Sequence, residues 1–102
     1  MTISYDKYLV IKVSPPDEEP FNKVFLTQSG GFMSGDSWRL NSGIKEVIDE
    51  GSYRIFVGES GSRYKVHKYG YGVAGVSNYG VLEEFKKRWG DKFSVYDADP
   101  YP

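Results

Sequence analysis

One segment constrains the fold of this chain more than any other, because there alone every helix signal agrees. Between residues 78 and 89, Val81, Leu82, Phe85 and Trp89 recur at helical spacing and form an apolar stripe. Ser77 or Asn78 is placed to cap the first turn. Glu83 and Glu84 fall toward the positive end of the helix dipole, and Lys86, Lys87 and Arg88 toward the negative end. Glu83–Lys87 and Glu84–Arg88 are i,i+4 pairs in the favourable order. Gly90 suits the left-handed position that ends many helices. No other stretch repeats this pattern convincingly, so the rest of the chain must be built from short extended pieces around one helix.

Those pieces are visible as apolar, β-branched runs between breakers. Residues 8–13 read as a strand buried on both faces, stopped by Ser14, Pro15 and Pro16. Residues 15–20 hold three Pro and three acids and read as a loop. Residues 23–28 are a hairpin partner for the first strand. Residues 29–37 read as a loop broken by Gly30, Gly31 and Gly35, and 38–40 as a short extended piece. Residues 44–49 read as a strand or one helical turn: Ile44, Val47 and Ile48 fit helical spacing, but the segment is short and bounded by glycines. The clearest hairpin joins 53–57 to 63–69 through the turn residues 58–62. In its second strand Tyr64, Val66 and Lys68 alternate with Arg63, Lys65, His67 and Tyr69, so the latter face meets solvent or a ligand. Residues 92–96 suggest a last short strand, and 97–102 an acidic, Pro-containing tail. The expected architecture is α+β: a small, mostly antiparallel sheet of about four to six strands, with one C-terminal helix packed on a face.

Length and composition limit the function. The 102 residues make one domain. There is no Cys, so no disulfide framework or thiolate metal site is available. No run approaches the roughly 18 apolar residues of a membrane span, and residues 1–6 lack the basic and apolar regions of a signal peptide. A cytoplasmic setting is the expectation. Net charge is −1, but residues 63–92 hold seven Lys/Arg against three Asp/Glu. A basic segment in a near-neutral chain marks either an anionic partner or a solvated face paired with acidic segments.

The sharpest literal motif is Gly70, Gly72 and Gly75 in G-x-G-x-x-G spacing, the dinucleotide fingerprint. The preceding strand alternates with charge, whereas a Rossmann strand is a buried apolar run. The helix signals begin near residue 78 rather than at the glycines, and the chain is too short for a doubly wound sheet. A turning Gly/Tyr loop explains the match better. His67 is the only His, which speaks against a zinc site. A nuclease using His67 as acid or base with Lys, Arg or Glu is chemically conceivable but carries no local signature. The carboxylate pairs Glu18-Glu19, Asp49-Glu50 and Glu83-Glu84 read as solvated charge. No cofactor or metal is expected.

The candidate contact residues are Arg63, Lys65, His67 and Tyr69, extended by Tyr71 and Tyr79. Cations interleaved with rings suit single-stranded nucleic acid, where cations follow phosphates and rings stack on bases. Lys86, Lys87, Arg88 and Lys92 would widen the patch if the helix lay alongside. Tyr and Arg serve protein partners equally well, and a sequence pI near 5.8 is far from that of a nucleic-acid binder. The acidic 15–20 loop and the tail offer a second surface of opposite sign. The expectation is a non-catalytic binding protein acting on a protein partner, with RNA or single-stranded DNA as the alternative ligand and a small nuclease as a third. By analogy alone, small Cys-free, aromatic-rich domains are common among phage and mobile-element accessory proteins that occlude a host protein.

Overall fold

The computed structural model describes residues 2–30 and 35–102, so Gly31 of the expected loop lies outside the described residues. The strands are β1 (Thr2–Ser4), β2 (Lys7–Val13), β3 (Phe21–Gln28), β4 (Ser37–Leu40), β5 (Ile44–Glu50), β6 (Tyr53–Gly58), β7 (Arg63–His67) and β8 (Phe93–Val95). The helix α1 (Val76–Trp89) and a 3-10 turn (Gly90–Lys92) precede β8. The strands form two four-stranded sheets, ordered β1-β7-β6-β5 and β4-β3-β2-β8. The α+β class with a C-terminal helix is as expected; the division into two sheets is a finding of the structure.

Three layers result. Tyr8, Val10, Val24 and Leu26 of β2 and β3 pack on Phe56, Tyr64 and Val66 of the other sheet. The intervening side chains Leu9, Ile11, Val13 and Phe25 pack with Leu82 of the helix and Phe93. Period-two alternation therefore gives the β2–β3 hairpin two apolar faces and two covers, which is why residues 8–13 carry almost no polar side chain. The ambiguous segment 44–49 is a strand. Glu50 pairs with Tyr53 around the tight turn at Gly51, whose φ of 72° favours glycine. β1 was not foreseen. It is short, exposed and added parallel to β7, with Thr2 opposite Arg63 and Ser4 opposite Lys65.

Several helix expectations need correction. The helix starts at Val76, so Ser77 and Asn78 lie inside its first turn rather than capping it. The capping acceptor comes from outside: the Asp36 carboxylate takes hydrogen bonds from Ser77 N (3.3 Å) and Ser77 Oγ (2.7 Å). Buried Asn78 instead donates to the carbonyls of Ala74 and Ser37, tying the helix to β4. Glu83 and Glu84 sit mid-helix, and Glu83 pairs with Lys86 at 3.4 Å rather than with Lys87. Leu82 is buried and Phe85 stacks on Phe93, but Trp89 remains 43% exposed. Residues 97–102 are not a free tail either. Asp99 and Tyr101 turn back between the sheets, where Asp99 meets Arg54.

Candidate functional site

Among the described residues no element packs on the outer face of β1-β7-β6-β5. Its register places three rows across the sheet: Glu50, Tyr53 and His67; Ile48, Ile55, Lys65 and Ser4; Glu46, Val57, Arg63 and Thr2. The alternation that buries Tyr64 and Val66 turns Arg63, Lys65 and His67 outward, as expected. Lys68 departs from the alternation. β7 ends at His67, and Lys68 swings to Asp49 at 3.1 Å. That contact, first, and a backbone N–H from Gly51 hold the Asp49 carboxyl below its ordinary range.

Aromatic rings line one end of this face. Tyr53 meets His67 edge-on at 5.4 Å between centroids, and His67 meets Tyr69 at 5.7 Å. Tyr69 is 83% exposed. Lys65 Nζ lies 4.6 Å from the Tyr53 ring centroid and 3.7 Å from the Glu50 carboxylate. A shallow cleft of about 410 Å³ runs beside them, lined by Ser4, Tyr5, Asp6, Tyr53, Lys65 and His67.

The other two expected contact residues are elsewhere. The Tyr71 ring packs against Tyr8 at 5.2 Å, and its hydroxyl accepts from Val10 N and donates to the Tyr96 carbonyl. It is a core residue, and burial, first of all, raises its phenol above the ordinary range. Tyr79 is exposed on the helix, on the far side of the second sheet. Lys86, Lys87 and Arg88 share that separation and do not widen the patch. Sequence reasoning missed Tyr53 and Glu50. The signal was available: counting back across the hairpin from Val57 opposite Arg63 brings Tyr53 opposite His67.

Ser4, Asp6 and His67 share the cleft, but their bonding is wrong for an activated nucleophile. His67 Nδ1 accepts the Tyr69 N–H at 3.2 Å, whereas a triad histidine donates from that nitrogen to a carboxylate. The Asp6 carboxylate is engaged by Ser29 N at 2.9 Å. Among the described residues no group of His, Asp and Glu is arranged to hold a metal ion. The G-x-G-x-x-G stretch leads straight into α1, closer than the sequence suggested. Its helix N-terminus already holds the Asp36 carboxylate, and a Cβ on Gly75 would sit 2.4 Å from it. A pyrophosphate would meet that negative charge. Comparison with protein-family models, with curated proteins and with solved structures gives no match.

Proposed function

We propose that this domain is a non-catalytic binding protein that engages a protein partner through the outer face of β1-β7-β6-β5. The observation that carries this reading is the exposed row of Tyr53, His67 and Tyr69 with Lys65 and Arg63 beside it and Glu46 and Glu50 along its border. Rings that bury large area at small entropic cost, mixed with both signs of charge, match the side chains that dominate protein interfaces. The acidic border weighs against a polyanion. A nucleic-acid backbone crossing the sheet would run from Arg63 and Lys65 onto Glu46 and Glu50, and Lys65 is already shared with Glu50. We further propose that binding works by occlusion of a partner's own surface in the cytoplasm, in the manner of phage and mobile-element accessory proteins.

The test has two arms. A single stoichiometric protein should co-purify with the native chain and be lost with Tyr69→Ala or Arg63→Ala at unchanged thermal stability. Retention by both variants overturns the assignment to this face. Labelled random RNA and single-stranded DNA should show no anisotropy change at low salt; binding whose affinity falls linearly with the logarithm of salt concentration would replace the protein partner with nucleic acid.

A further inference from the structure

A second feature lies on the opposite face of the same sheet and is independent of the reading above. Arg54 is 2% exposed between the two sheets. Its charge partner is Asp99, at 3.3 Å, and its Nη2 donates to the Pro102 backbone oxygen at 2.9 Å. Its Nε is buried with no hydrogen-bond partner. The Tyr8 hydroxyl also donates to the Asp99 carboxylate. Beside them Asn22 donates to the Tyr101 hydroxyl at 3.0 Å and accepts from the Tyr96 hydroxyl at 3.0 Å, while the Tyr101 ring rests edge-on against Phe56.

The two sides of this contact are held in different ways. Tyr8, Asn22, Arg54 and Phe56 sit on β2, β3 and β6, whose positions are fixed by ladders that do not involve the last six residues. Residues 97–102 pair with no strand among the described residues. Tyr96 N to Val10 O is the final backbone bond to a sheet, Pro100 and Pro102 have no N–H to offer, and the Tyr101 N–H turns inward to Asp99 itself. Their attachment is by the side chains of Asp99 and Tyr101 and one backbone oxygen, so they can leave without opening a ladder. A buried ion pair is also a poor means of stabilising a core. An apolar pair of similar volume serves as well or better, and here one guanidinium donor stays unsatisfied. A preformed cationic slot with spare donor capacity is what recognition of a carboxylate requires.

We infer that the space around Arg54 is a recognition slot for a peptide segment carrying a carboxylate two residues before a tyrosine, and that residues 97–102 are its tethered occupant. Arg54 and Tyr8 read the carboxylate; Asn22 and Phe56 read the tyrosine. Tethering sets a roughly millimolar effective concentration, so the slot is masked against weak competitors in the intact chain.

The probe is a synthetic peptide of residues 97–102, acetylated and amidated at its ends, titrated into full-length protein and followed by the amide NMR signals of Asn22 and Phe56. Asp99→Asn should loosen the occupant, and this variant should bind the peptide at least ~10-fold more tightly than the native chain does. A peptide with Asn at the same position should bind ~30-fold or more weakly. A folded Asp99→Asn chain that binds neither peptide, or both alike, overturns the inference. If that variant does not fold, exchange NMR on the native chain decides. Ala98, Asp99 and Tyr101 should visit a released state while Arg54 and Phe56 stay in place. Tail signals that open only together with β2 and β6 would make residues 97–102 a fixed part of the core.

Discussion

The sheet β4-β3-β2-β8 is covered twice, by the other sheet and by the helix, whereas β1-β7-β6-β5 is covered once. Side chains in the first answer to packing on both sides of every strand. In the second, the outward positions other than buried Ile55 are largely released from packing, and they carry Tyr53, His67, Lys65 and Arg63. One sheet supplies the rigidity and the other the surface, so substitutions should separate into large stability losses with no specific binding phenotype and the reverse.

The sharpest way to break this contrast is Phe25→Ala. Phe25 is fully buried between Trp38 and Phe85 on the helix-facing side of the twice-covered sheet. The loss should be about 3–5 kcal/mol by denaturant titration; a loss below about 1 would mean that the second cover is not real. Next in size is Asp99→Asn, which strands the buried Arg54 charge and should cost about 2–4 kcal/mol, less than a fully enclosed pair because Asp99 keeps some exposure. Adding Arg54→Met should restore much of it, and a double variant no better than the single one would mean that Arg54 is not charge-compensated by Asp99.

A pH test comes third. Burial and then the Asp99 hydrogen bond raise the Tyr8 phenol well above its ordinary value of 10.0. Burial raises Tyr71 and Tyr101 in the same direction. A raised folded value stabilises the protonated form, so this contribution is full below pH 10.0 and lost as pH rises past it. Thermal midpoints should hold at neutral pH and fall on the alkaline side, less steeply for Tyr8→Phe. The smallest effect belongs to the outer face: Tyr69→Ala should change stability by under ~0.5 kcal/mol while removing the partner contact.

The sequence revealed the parts governed by local chemistry. Alternation through β7 correctly turned Arg63, Lys65 and His67 outward, and the apolar run in β2 correctly implied cover on both faces. What stayed hidden depends on partners far along the chain. Arg54 looks like any cation in a strand, and Asp99 like a solvated acid beside prolines; their pairing across 45 positions has no local signature. Tyr71 reads as part of the basic face because its loop follows β7, but after the turn at His67–Gly70 the chain keeps running parallel to the N-terminal segment, crosses with it to the other sheet and pairs beside Tyr8. Trp89 fits the helical stripe by period, yet the packed part of that stripe ends before it.

The place of β8 also bears on how this protein is made. β8 pairs with β2, Ile11 lying opposite Val95, and Tyr8 reaches Asp99 across 91 positions. During synthesis the most apolar strand of the molecule therefore emerges well before its partner, and its Ile11–Val13 edge waits bare until β8 has followed. Closure of such distant pairs is slow, on the order of milliseconds to seconds for folds of this kind, and the bare edge can join a neighbouring chain in the interval. Yield on refolding should accordingly fall as protein concentration rises, and a nascent chain halted before Phe93 should be the species that holding chaperones retain.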